Sequence, residues 1–231
     1  MLFINPKVPH KKVRSKGKPN FEYFCTQMVK CMTIIFATNN EHKLKEIKSI
    51  LGKRFNLMSL SDINMQEDIP ENEPLLEGNA LSKARYIHSA TGKNVFADDT
   101  GLEIDFLNGF PGVHSARFAG ENKDSSANIE KVLSLLGNTT NRKARFRTVI
   151  ALILDNKEYL FEGIVTGTII NEKRGTKGFG YDPVFMPEGK NRTFAEMELD
   201  EKNSISHRAR AFEKLIEFLN QYQISDNKKR V

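Results

Sequence analysis

The chain has 231 residues, 39% hydrophobic and 28% charged, long enough to bury a sizeable core as one domain or two small lobes. No apolar run approaches the roughly 20 residues that a membrane-spanning helix needs, so no membrane helix is expected and a globular, cytoplasmic protein is. The net charge of +6 and pI of about 9.2, taken alone, would suggest a polyanionic partner.

That charge is local. Residues 1–31 hold seven Lys and Arg against the single acid Glu22, while residues 32–231 hold 28 of each sign. A nucleic-acid partner is therefore not expected of the body; a protein binding nucleic acid through its basic arm is the alternative of a different class. Cys25 and Cys31 also lie in the arm, so the body is neither a disulfide scaffold nor a Cys-ligated zinc site. Pro6, Pro9, Gly17 and Pro19 break any helix there. MLFINPKVPHKK lacks the continuous apolar stretch, about 7–15 residues long, of a secretory signal. Residues 1–31 read as a disordered extension with Met28 and Met32 as alternative starts, and 32–231 as the functional domain.

From Thr33 onward strands and helices alternate. Thr33–Ala37 reads as a buried strand. Leu44, Ile47, Ile50 and Leu51 fall at helical spacing over 41–51, and Gly52 stops that helix. A polar stretch with Pro70 runs from Ser61 to Glu73, then a second helix spans 75–90 with Leu76, Ala80, Ala84 and Ile87 on one face. Asn94–Asp98 reads as a short strand, and Gly101–Leu107 as a separate, half-buried one. After a Gly/Pro-rich loop (108–120), a third helix covers 124–136. Ala144–Leu154 and Glu158–Ile170 read as long strands joined at Asp155–Asn156–Lys157. A glycine-rich loop spans 175–182, a last helix 206–220, and Ser225–Val231 a frayed tail. The class is α/β or α+β, with topology left open.

Five stretches carry chemistry. In FATNNEHKLKEI (36–47) a strand ends, small polar residues follow and a helix begins. Free N–H groups and the positive dipole end make such a junction an anion site. Thr38, Asn39 and Asn40 can add donors, and Lys43 falls in the first turn; plain N-capping by Asn39 or Asn40 is the alternative. In FADDTGLEID (96–105) Asp98 and Asp99 are adjacent at a strand end, so they point to opposite faces. One can reach a cleft while the other braces the loop. A carboxylate there suits Mg²⁺, which takes one or two carboxylates plus phosphate oxygens and water; a turn is the alternative.

In EGNALSKARY (77–86) Asn79 and Lys83 share a helix face, downstream of Glu71, Glu73 and Glu77. A solvated face is the alternative. GTKGFGYDPVF (175–185) sets Phe179 and Tyr181 among glycines, suited to stacking on a base or to packing on the core. In EKNSISHRARAF (201–212) Ser206 caps a helix, which puts His207 and Arg208 in its first turn, with Lys202 just upstream. Cations there oppose the helix dipole, which suggests a ligand.

ATNNEHKLKE (37–46), EGNALSKA (77–84), ADDTGLEID (97–105), PGVHSARFAG (111–120), GFGYDP (178–183) and EKNSISHRARA (201–211), in that order, resemble the inosine triphosphate pyrophosphatase family. The resemblance spans Thr33 to about Asn220 and implies an elongated, two-lobed mixed sheet flanked by helices, with a central cleft. It implies Mg²⁺-dependent hydrolysis of dITP, ITP and XTP to the monophosphate and pyrophosphate, cleansing the nucleotide pool, by a homodimer. On this likeness Thr38, Asn39, Asn40, Glu41, His42 and Lys43 would bind the triphosphate, and Asp99 would be proton acceptor and metal ligand. Thr100, Phe179, Gly180, Tyr181, Asp182, Lys202, His207 and Arg208 would complete the substrate site. Lys83 is suited to the phosphates, and Glu71 would be a second metal contact. Asn39 stands where the family often has glycine. A Maf-like pyrophosphatase of modified pyrimidine nucleotides is the nearer alternative, against which the GFGYDP and SHRARA stretches speak.

Overall fold

A computed structural model describes residues 32–51, 55–65 and 69–229; the reading of residues 1–31 lies outside them. The strands are β1 (Thr33–Phe36), β2 (Asn56–Met58), β3 (Val95–Ile104), β4 (Pro111–Gly112), β5 (Lys143–Leu154), β6 (Lys157–Ile169) and β7 (Phe185–Pro187). The helices are α1 (Glu41–Leu51), α2 (Leu76–Thr91), α3 (Ser125–Leu136), α4 (Leu199–Asn203) and α5 (His207–Lys229). The strands form one seven-stranded mixed sheet in the order β2-β1-β3-β5-β6-β7, with β4 on the side of β3. β2, β1 and β3 run parallel, and β3, β5, β6 and β7 antiparallel. This is the flanked mixed α/β sheet expected from the resemblance.

Period-two alternation splits the apolar residues between the two faces. Val95 and Ala97 face α2, where Leu76, Ala80, Ala84 and Ile87 cover them. Phe96, Ile150 and Leu152 face Ile47 of α1 and Phe212, Leu215 and Leu219 of α5. A third cluster, around Leu102, Phe146, Val165 and Phe185, packs on Ile129, Val132 and Leu136 of α3. The helix ends follow local chemistry. Asp124 caps α3 by accepting from Ser126 N and Ala127 N at 2.8 and 3.2 Å. Gly92 closes α2 in the left-handed region.

Several expectations need correction. The two strands expected at 94–98 and 101–107 are one strand, because β5 pairs with β3 continuously from Val95↔Ile153 to Ile104↔Ala144. Asp98 and Asp99 therefore sit mid-strand, not at a strand end or in a turn. Parallel pairing with β1 stops at Phe36↔Phe96, which leaves both aspartates beside the β1–α1 loop, just past the end of β1. The half-buried strand expected through Leu107 would alternate Leu102, Ile104 and Phe106 inward, but Phe106 is 47% exposed on a single 3₁₀ turn. The last helix continues past Asn220 to Lys229, since no Gly or Pro stops it. The β5–β6 turn is Asp155–Asn156 alone, both at positive φ (49° and 60°) as a two-residue hairpin turn requires, and Lys157 already pairs with Leu154. β2, β4, β7 and α4 were not foreseen.

One glycine positions the start of α5. A Cβ on Gly163 of β6 would lie 2.0 Å from the His207 carbonyl oxygen and 2.4 Å from Ala211 N. Glycine there lets the first turn of α5 press directly on the sheet.

Candidate active site

A cavity of about 420 Å³ opens between these elements. Of the expected site residues, all but Glu41 and His42 line it. The β1–α1 loop delivers the helix N-terminus. Thr38 Oγ1 accepts from Asn40 N (3.2 Å), and Asn40 Oδ1 accepts from Lys43 N (3.1 Å), so capping by Asn40 is realised within the loop that also faces the cavity.

The two adjacent aspartates part as alternation requires. Asp98, with a side chain fully out of solvent, accepts from Lys43 Nζ at 2.9 Å and faces Arg208 Nε at 3.5 Å. Burial would raise its carboxyl, but Lys43, Arg208 and Lys83 outweigh burial and bring it down to about 2. Asp99 turns to the α2 side. It accepts from Asn79 Nδ2 at 3.1 Å and faces Lys83 Nζ at 3.4 Å, so the shared helix face of Asn79 and Lys83 converges on this carboxylate. Burial holds the Asp99 carboxyl above its ordinary range despite Lys83 and Lys43. Lys83 also binds Glu71 at 2.6 Å. Burial would raise Glu71, but Lys83, Lys43 and Arg117 outweigh it and hold it low. Burial lowers the Lys43 ammonium, helped by Lys83 and Arg208, more than Asp98 raises it.

The glycine-rich loop, α4 and α5 supply further lining residues. Asp182 Oδ2 accepts from Phe179 N (2.9 Å) and Lys202 Nζ (2.7 Å), which ties the loop back on itself. Tyr181 is 4% exposed and donates its hydroxyl to Ser115 O at 2.9 Å; burial pushes that phenol up. It packs in the core while also lining the cavity. Lys202 Nζ and the Arg208 guanidinium sit 5.1 and 5.4 Å from the Phe179 ring centre. Ser206 caps α5 as expected, its Oγ accepting from Ala209 N at 3.2 Å. His207 stacks on Phe146 with ring centres 4.6 Å apart, and its Nδ1 is buried with no hydrogen-bond partner. Burial first, then Arg208, Lys202 and Lys43, drive its pKa well below the ordinary value, so the ring is neutral near pH 7.

Sequence reasoning singled out neither Glu46 nor Arg117. Glu46 is 4% exposed and accepts from Lys202 Nζ at 2.8 Å and from Arg208 Nη1. It joins Lys43, Asp98, Arg208, Lys202 and Asp182 in one buried chain of alternating charge. Arg117 reaches Glu71 at 3.3 Å. Both lie inside stretches that carry the resemblance (37–46 and 111–120), and that was their only signal. Among the described residues no helix is long and apolar enough to cross a membrane.

A mixed α/β sheet whose cavity gathers five basic side chains and a buried, upshifted carboxylate defines the class: an α/β protein with a site for a phosphate-rich ligand. The chain matches the Ham1 family over residues 34–218, and it belongs to that family. A Flavobacterium johnsoniae protein named dITP/XTP pyrophosphatase is 51% identical over 188 residues, 81% of this chain and 98% of its own. One of the same name from Porphyromonas gingivalis is 54% identical over 187 residues, 80% and 96% of the two chains. Among solved structures, the Staphylococcus aureus Ham1 protein superposes with a TM-score of 0.76 at 41% identity, covering 82% of this chain and 99% of that one. The Maf-like alternative gives way to this match.

Proposed function

We propose that this chain hydrolyses dITP, ITP and XTP to the nucleoside monophosphate and pyrophosphate. The observation that carries the reading is the meeting of two unlike sets of residues in one cavity. A helix N-terminus with Lys43, Lys83 and Asp99 and, beside them, Phe179 with neutral His207 and Arg208 line the same space.

The β1–α1 loop and Lys43 bind the phosphates. Lys83 and Asn79 hold the Asp99 carboxylate, and burial makes it a better base than a surface aspartate. Asp99 takes the proton of a water that attacks the α-phosphorus in line. Phe179 offers its ring to the purine. The orphaned Nδ1 of His207, the Arg208 fork and backbone groups of 179–182 read the 6-oxo edge. Against ATP these donors meet a 6-amino group and are left unpaired, a mismatch that discriminates strongly.

A metal fits this donor set. Among the described residues no cluster of three or more His, Cys, Asp or Glu could hold an ion alone. Asp99 and Glu71, however, already converge on one ammonium, that of Lys83, and Mg²⁺ needs only one or two carboxylates when phosphate oxygens and water complete its shell. Asp99 and Glu71 would hold it, and when bound it supplies neutralising charge to the triphosphate and to the leaving pyrophosphate.

The reading includes a homodimer acting in the cytoplasm; sedimentation at low protein concentration tests the dimer. Pyrophosphate release from ITP, dITP, XTP, ATP, GTP and a modified UTP, with and without Mg²⁺, tests the activity. Release confined to the first three and dependent on Mg²⁺ is expected. Equal turnover of ATP, or preference for the pyrimidine nucleotide, would overturn the reading.

A further inference from the structure

Phe179 is held by little of its own backbone. Its neighbours Gly178 and Gly180 both lie at positive φ, 74° and 60°, where side chains other than glycine are strained. Phe179 N–H donates to Asp182 Oδ2 at 2.9 Å and its carbonyl accepts from Asp182 N at 3.3 Å, which fixes the turn but not the ring. Among the described residues the ring itself has three partners, of which Lys202 and Arg208 line the cavity. The third is His42, on the first turn of α1. Its imidazole stacks on Phe179 with ring centres 5.1 Å apart and planes 18° apart. His42 is exposed and stands outside the cavity lining, unlike Thr38, Asn39 and Asn40 of the preceding loop and Lys43 of the same helical turn.

We propose that His42 is a positioning residue for the substrate's base: it stacks on Phe179 from outside the cavity and holds that ring as the wall against which the purine lies. The proposal rests on the reading of this site as a nucleoside triphosphate site. It separates His42 from its neighbours in sequence. The loop's cavity-lining residues serve the phosphates, and His42 serves the base through a ring that is 137 positions further along the chain. Because His42 rides on α1 and Phe179 on the glycine-rich loop, the stack also joins the phosphate-binding element to the base-binding one. The stack is an ordinary parallel, offset arrangement, which needs a flat aromatic partner more than a charged one.

The test compares dITP with tripolyphosphate, which carries phosphates without a base. In the full-length protein, His42→Ala is expected to raise KM for dITP by about twofold to tenfold, the worth of one aromatic stack, with a smaller change in kcat. The inhibition constant of tripolyphosphate stays at its wild-type value. His42→Phe restores KM, whereas His42→Leu, which fills space without a π face, does not. In a Phe179→Ala background the His42→Ala substitution adds no further loss. Equal weakening of dITP and tripolyphosphate would place His42 on the phosphates and overturn the proposal, as would an unchanged KM or a failed rescue by Phe. If the wild-type protein turns over dITP and these variants behave alike, only this proposal falls. If the wild type turns over no nucleoside triphosphate, the functional reading falls first and this one with it.

Discussion

Replacing Glu46 by Gln isolates the worth of the buried charge chain. The substitution keeps the side chain's shape and removes the negative charge between Lys202 and Arg208, whose side chains are 4% and 2% exposed. Two cations then remain in the interior with Asp98 and Asp182 as their close acids among the described residues. Breaking a buried pair by removing one partner destabilises by about 3–5 kcal/mol. For a domain of roughly 150–250 residues each kcal/mol lowers Tm by about 2–4 °C, so a drop of about 6–20 °C is expected. An exposed pair supplies the contrast. Arg85–Glu158 is just as close, 2.6 Å, but its side chains are 56% and 39% exposed, and such pairs contribute about 0–1 kcal/mol. Glu158→Gln should therefore leave Tm nearly unchanged. The sign with pH follows from the direction of the shift. Arg208 and Lys202 outweigh burial and hold Glu46 below its ordinary 4.5. Its stabilisation is present above that value and is lost as pH falls through the lower folded pKa, so the gap between wild type and Glu46→Gln narrows in acid. Scanning calorimetry of the three proteins decides the matter. Equal shifts for the two substitutions would refute the argument that burial sets the strength of the pair.

Asp99→Asn should cut turnover by about 100- to 10,000-fold, the range of general-base catalysis, with circular dichroism unchanged; near-normal turnover would sink the base assignment. His207 gives a pH signature. The unfolded chain takes up a proton near pH 6.5 that the folded chain refuses, so stability falls as pH drops below that value, by about 1 kcal/mol over the next unit. His207→Phe, which keeps the stack on Phe146, should lose that slope, and urea titrations giving parallel pH profiles for both proteins would contradict it. Gly163→Ala forces a methyl group against the His207 carbonyl oxygen. It should destabilise by about 1–3 kcal/mol as overpacking does and raise KM by displacing His207 and Arg208; a wild-type melt and KM would show that the start of α5 is not fixed there.

Local rules carried much of the fold. Helical spacing located α1, α2 and α3, the Asp155–Asn156 signal located the hairpin, and Ser206 marked the start of α5. The failures have physical causes. Thr100–Gly101 looked like a break because glycine weakens a strand, yet ten-residue pairing with β5 overrides that local preference. Phe106 fitted the alternation, but the chain leaves the sheet at Ile104. In the site, Asp98 and Asp99 could be assigned to opposite faces from alternation alone. Which one met α2 could not, because that depends on the helix packed on each face. Glu46 was invisible for the same reason: its partner Arg208 is 162 residues away, and a glutamate in a helix with basic neighbours looks like any solvated residue. Tyr181 and Asp182 read as ligand contacts, but much of their bonding goes to Ser115, Phe179 and Lys202, which shapes the loop.

The parting of Asp98 and Asp99 across the sheet makes the centre of this protein a partition with its own hydrogen-bonded circuit on each side. One circuit runs through Lys43, Arg208 and Glu46, the other through Lys83, Asn79 and Glu71, and two consecutive residues feed both. The hydrogen bonds of each network are its own, while the charges of Lys43 and Lys83 are felt across the strand by Asp99 and Asp98. A one-residue insertion or deletion in β3 ahead of Asp98 would exchange the two carboxylates between sides, cross-connecting both circuits in a single event. The strand thus tolerates drift in composition around the aspartates far better than drift in length.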